Sequence, residues 1–164
     1  MARSVICKTD PCLDWIYSDS SNVHIAKDRA WFTSNYPLPC HLTCIYAINP
    51  PIPVLGIGTI KLTVKATPGS FTTYGVSTIE LHNVLHAPSY FFNVLVRPLG
   101  SICQTSLGGS SHEAGRASRG GLMLQGKQVA YFHPGTLCFF SLAVQPPSGI
   151  NFGPRVVRTG VDWA

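Results

Sequence analysis

Apolar and polar residues alternate most clearly along residues 54–65, where Ile60, Leu62 and Val64 are separated by Lys61 and Thr63. Side chains of a strand face opposite ways in turn, so this period of two predicts a half-buried strand. Gly56 and Gly58 near its start mark a bend or a close backbone approach. A Pro68-Gly69 turn follows, and residues 76–85 alternate again, with Val76, Ile79, Leu81 and Val84 set against Ser77, Glu80, His82 and Asn83. The two segments predict a hairpin. Residues 91–96 form a continuous apolar run suited to a strand buried on both faces. Leu122-Met123-Leu124 and residues 129–132, joined through Gln125-Gly126-Lys127, predict a second hairpin, and residues 137–144 a last strand.

The remaining signals are weaker. Residues 22–32 offer Ala26, Ala30 and Trp31 as an apolar face and predict a short helix that Pro37 and Pro39 would end. Residues 40–48 are apolar enough for a strand, after which Asn49-Pro50-Pro51 and Pro53 force an irregular connection. Residues 104–121 are rich in Gly and Ser and read as a mobile loop. The sum is six to eight short strands and one short helix: a mainly β fold, either a small barrel or a folded pair of sheets. The expected organisation is one domain over residues 14–142, preceded by an extension at 1–13 and followed by a Pro/Gly-containing tail at 143–164.

Composition agrees with this picture. In 164 residues there are 15 Gly and 13 Pro, and only 12% of positions are charged, which disfavours long surface helices with charged faces. The net charge of +5 owes as much to having few acids as to having many bases. No run of Lys and Arg interleaved with aromatics appears, so nucleic-acid binding through this segment is not expected. No apolar run is long enough to span a bilayer, and residues 1–14 lack the apolar stretch of a signal peptide, so the expectation is an intracellular, cytoplasmic protein without membrane contact.

Six cysteines in an intracellular chain are expected as free thiols. Cys7, Cys12, Cys40 and Cys44, with His41 adjacent, invite a zinc reading, but both pairs are spaced more widely than a C-x2-C knuckle, so no metal is expected there. Cys103 and Cys138 lie in or beside apolar runs and read as core. His82 and His86, four apart on a predicted strand, would share a face without a third ligand. There is no Gly-x-Ser-x-Gly elbow, P-loop or dinucleotide fingerprint, and no cofactor is expected.

The stretch that carries candidate chemistry is Trp15-Ile16-Tyr17-Ser18-Asp19-Ser20-Ser21, with His24 beyond it. Together with "AKDRAWF" (26–32), "VLGIGTIKL" (54–62), "ELHNVLHAPSYFFNVL" (80–95) and "GKQVAYF" (126–132), in that order, it resembles the retropepsin-like β-barrel domain of Pol polyproteins from Copia-like retrotransposons. The family pattern is Trp, two apolar residues, Asp-Ser/Thr-Gly, a small residue, and His six places after the Asp. Here the frame is kept and the contents differ: Ser18 stands at the Asp position and Ser20 at the Gly position.

The resemblance implies a small closed or partly closed barrel of acid-protease type. It also implies a homodimer in which two carboxylates share a proton, one activating water and the other polarising the scissile carbonyl. A serine hydroxyl cannot act as that base near neutral pH, and Ser20 carries a Cβ that resists positive φ. The expected result is an inactive endopeptidase-like domain. The alternatives are an active homodimer that uses Asp19 to process its own polyprotein, and a non-catalytic module that binds polyprotein peptide. Asp19 sits one residue out of register, and on a strand such a shift points the side chain to the other face. Its structural expectation is to cap a following helical turn, and that of His24 is a hydrogen-bonding role near the turn. Gly56, Ile57 and Gly58 are the candidates for a flap-like substrate contact.

Overall fold

The computed structural model describes residues 11–43, 50–68, 75–97, 103–107, 120–133 and 140–152. Its strands are β1 (Trp15–Ser18), β2 (Ile25–Ala26), β3 (Phe32–Leu42), β4 (Ile52–Lys65), β5 (Val76–His86), β6 (Asn93–Val96), β7 (Gln104–Leu107), β8 (Gly120–Leu124), β9 (Lys127–Tyr131), β10 (Phe140–Ser141) and β11 (Val144–Gln145). A mainly β fold is what the alternation demanded, and Phe132, Leu122 and Val129 take up the inward places expected of the second hairpin. That hairpin turns through Gln125 and Gly126, both at positive φ, which is the two-residue turn whose twist matches the flanking strands.

Eight strands form one sheet in the order β10-β1-β6-β2-β5-β4-β11, with β3 paired to β4; β7, β8 and β9 form a smaller sheet. β1 runs parallel to β6 and β2 parallel to β5, while the other pairs are antiparallel. The two ends of the long path are almost contiguous in sequence, since only Leu142 and Ala143 separate β10 from β11. That passage stitches distant parts together: Leu142 N–H donates to the Trp15 carbonyl, Ala143 N–H to that of Tyr131, and the Ala143 carbonyl accepts from Lys65 N–H. Among the described residues no closed barrel forms, because β10 and β11 pair with β1 and β4 and not with each other.

The main core lies among Trp15, Tyr17, Trp31, Ile60, Leu62, Leu81, Leu95, Leu122, Phe132 and Leu142. A second cluster, around Ile25, Val54, Ala87, Val94 and Val96, is closed only in part by Val23, Leu42, Ile52, Leu85 and Phe92. β6 is buried along its whole length, the polar Asn93 included, while Phe91, expected in the same strand, lies outside it and is exposed.

Several expectations are corrected. The helix expected over residues 22–32 is instead β2 and a single 3-10 turn, Arg29–Trp31. Trp31 is buried through tertiary contacts that override the helical spacing. β3 begins at Phe32 and passes through Pro37 and Pro39, which were expected to break the chain; on an edge strand a proline loses only a donor that had no partner. Residues 104–107 and 120–121 are strand and not loop, pairing with each other in register. The tail boundary at 143 falls inside the domain, since Ala143 and Val144 are buried. Cys12, placed in an extension, is buried too. Cys7, Cys44 and Cys138, and most of the expected loop at 104–121, lie outside the described residues. No helix among the described residues is long and apolar enough to cross a membrane.

Candidate functional site

β1 ends at Ser18, which pairs with Val96 at the end of β6. Trp15 and Tyr17 face the main core, so alternation turns Ile16 and Ser18 to the opposite face of the strand. Ser18 is half-buried, and its Oγ lies 3.2 Å from the Oγ of Ser20, the two hydroxyls sharing one hydrogen bond across the exposed Asp19. Asp19 lies one residue past the strand. The helical turn it was expected to cap is absent: residues 19–23 are bends and irregular chain, and Ser21 Oγ donates locally to the Val23 carbonyl.

His24 closes this loop. Its Nδ1 accepts the Val96 N–H at 3.1 Å and its carbonyl accepts the Leu85 N–H at 3.0 Å, so one residue ties the loop to both β6 and β5. Accepting at Nδ1 requires a lone pair there, and burial accordingly holds the imidazole below its ordinary protonation range. The structure therefore brings Ser18, Ser20 and His24 together around Val96, with His24 in the hydrogen-bonding role expected of it.

Gly56, Ile57 and Gly58 are placed elsewhere. They lie within β4, paired on one side with β3 and on the other with β5. Along the sheet β4 is four strand spacings from β1, roughly 19 Å. They are not a hairpin apex; the connection between the β3 and β4 arms falls between Leu42 and Ile52. The glycines serve close approach. A Cβ on Gly58 would run into the Ser34 carbonyl oxygen and the Phe32 ring, and one on Gly56 into the Asn35 side chain.

His82 and His86 do not share a face. Between them β5 carries an extra residue, with Asn83 at φ 56°, where Gly58 pairs with Val84 but Ile60 with Leu81. The bulge reverses the phase of the strand. His82 is exposed beside Thr59 and Glu80, while His86 packs edge-on against Phe32. Of the zinc candidates, Cys12 is buried, Cys40 half-buried and His41 exposed; among the described residues no three His, Cys, Asp or Glu side chains converge as metal ligands. Cys12, Cys40 and Cys103 are free thiols, and burial raises the thiol pKa of Cys12 and Cys103, which suits inert core positions and not nucleophiles.

A polar network below β1 escaped the sequence reading. Asn93, fully buried, donates from Nδ2 to the carbonyls of Cys12 (2.9 Å) and Asp14 (3.1 Å), and its Oδ1 accepts the Lys27 N–H (2.8 Å). Trp31 Nε1 donates to the same Cys12 carbonyl at 3.0 Å, and Asp28 Oδ2 accepts the Cys12 N–H at 2.6 Å. Burial pushes the Asp28 carboxyl up, against the pull of that N–H. Nearby, burial and the Arg29 charge lower His86. The one available signal was Asn93 itself, an amide inside an apolar run, which a packed strand keeps only when its hydrogen bonds are met. This network positions β1 and β6, the two strands that carry Ser18 and Val96. No family model, curated protein or solved structure matches the chain.

Proposed function

We propose that this chain is a non-cleaving domain of aspartic-protease type, a degenerate copy of the β-barrel found in Pol polyproteins of Copia-like retrotransposons. The observation that supports the reading is the end of β1, where Ser18 and Ser20 hydrogen-bond to each other, at the two positions that the resemblance assigns to a catalytic Asp and its turn Gly. Hydrolysis by a carboxylate pair needs one group to take a proton from water and another to give one. Two serine hydroxyls can do neither near neutral pH, because an unactivated hydroxyl remains protonated. Asp19 lies past the end of β1 on exposed, irregular chain.

Retention of the frame and loss of the acid make a direct test. Digestion of a peptide mixture is compared for the wild-type protein and the Ser18→Asp/Ser20→Gly double variant between pH 4 and 7. Pepstatin-sensitive cleavage only in the double variant supports the reading, while equal cleavage by both proteins rejects it.

Peptide binding without cleavage is a second reading, favoured by the half-open apolar cluster beside the site. Val23 and Leu85 are half-buried against the cluster that contains Val96, and none of them is needed for chemistry. Saturable binding of an extended apolar peptide, lost on Val23→Asp at the half-buried rim of the cluster with the fold intact, would support it.

A further inference from the structure

Two stretches far apart in sequence meet on one indole. Residues 11–13 lead into β1, and Trp31 Nε1 holds them by the Cys12 carbonyl, with Asp28 on the Cys12 N–H and Asn93 on the same carbonyl. Residues 150–152 follow β11, and the Phe152 ring rests on the Trp31 ring with centroids 4.9 Å apart. Trp15, the first residue of β1, meets Trp31 from another side, edge-on at 5.5 Å. Leu13 and Phe152 are half-buried against the same core. Trp31 is thereby enclosed by the incoming segment, the outgoing segment and β1. Asn93, which shares the Cys12 carbonyl with it, opens β6.

We propose that Trp31 is a clasp that couples the incoming segment to the outgoing one, so that ordering either flank orders the other and steadies the β1–β6 pair that presents Ser18. The indole is the shared element. The Phe152 ring packs tilted against the indole, and in this clasp its role is to keep water from the buried Nε1–Cys12 hydrogen bond, because a hydrogen bond shielded from solvent holds more firmly than one exposed to it. Removing Phe152 exposes that bond, frees residues 11–13 and loosens the neighbouring Asn93 contacts. Thermodynamic linkage makes the effect reciprocal, so loss of the grip on Cys12 frees Phe152. Residues 11–13 and 150–152 then act as one stem whose two sides are felt by each other. The claim concerns the flanks and does not rest on the protease-like reading.

Hydrogen exchange in the full chain tests it. In Phe152→Ala the amides of Cys12 and Asn93 are expected to exchange about fivefold faster or more, although Cys12 lies about 140 residues away in sequence. The amide of Leu62, in the part of β4 that pairs with β5, reports the fold and is expected to be unchanged. In Trp31→Phe, which keeps a ring for Phe152 but removes the N–H, residues 11–13 are expected to become protease-sensitive and cleavage near residue 152 to accelerate as well. Unchanged Cys12 exchange in Phe152→Ala overturns the clasp. So does an equal rise at Leu62, which would make the effect global unfolding, or a Trp31→Phe effect confined to residues 11–13.

Discussion

Replacing Asn93 by Leu keeps the number and branching of side-chain heavy atoms and removes every polar contact the side chain makes. Three hydrogen bonds are lost, to Cys12, Asp14 and Lys27. The Cys12 and Asp14 carbonyls each keep another donor, Trp31 Nε1 and the Asn93 N–H respectively, but the Lys27 N–H loses the acceptor it has here. At about 1 kcal/mol net for each of the three bonds, the loss is roughly 3 kcal/mol. Against a total stability of about 5–15 kcal/mol that is large, and the corresponding fall in Tm is on the order of 10 °C. Asn93→Asp is the informative companion. It retains an acceptor for Lys27 but points a second oxygen at two carbonyls, so it should be as damaging as Asn93→Leu at pH 7 and recover in part as acid protonates the carboxyl. Urea unfolding followed by tryptophan fluorescence measures both. A change under 1 kcal/mol for Asn93→Leu, or an Asn93→Asp variant as stable as wild type at pH 7, would refute the reasoning.

The remaining expectations concern pH and backbone room. His24 and His86 both have folded pKa values below the unfolded value of 6.5, so the stability that their neutral forms contribute is present above pH 6.5 and lost as pH falls through the lowered folded values. The urea midpoint should drop between pH 7 and 5, and less steeply in His24→Gln; identical slopes would count against the Val96–His24 bond. Asp28 acts in the opposite sense, because its folded pKa is raised above 3.8: its favourable contribution is full below pH 3.8 and lost as pH rises through the folded value. Asp28→Asn, which keeps an acceptor for Cys12 N–H, should therefore leave the midpoint at pH 7 unchanged or higher, and a fall above 1 kcal/mol would show that the charge itself is needed. Gly58→Ala should destabilise by about 1–3 kcal/mol, since the new Cβ meets the Ser34 backbone and the strands must part; a neutral result in thermal melts would remove the close-approach account of this glycine.

The β4, β5, β6, β8 and β9 strands were legible because each has its apolar side chains on a buried face or lies wholly inside, and both patterns survive in one dimension. β3 was hidden by Pro37 and Pro39, whose breaking power vanishes at an edge that has no partner to satisfy. The phase change in β5 was invisible because nothing in the sequence announces that Asn83 takes a positive φ. Around the site, Ser18, Ser20 and His24 were named through the family resemblance that begins at Trp15. The network of Cys12, Asp28, Trp31 and Asn93 could not, because its bonds join backbone groups to side chains up to 81 residues apart. Gly56 and Gly58 could be read as a flap or as a strand bend, because two glycines in a strand serve mobility or tight packing equally well until the neighbouring side chains are seen.

The central claim is that no working acid remains at the end of β1. It is tested most directly by incubating concentrated wild-type protein with a peptide library from pH 4 to 7, beside an Asp19→Asn variant, and identifying products by mass spectrometry. The account predicts no pepstatin-sensitive product from either protein. Cleavage by the wild type that Asp19→Asn abolishes, with the fold unchanged, would contradict it.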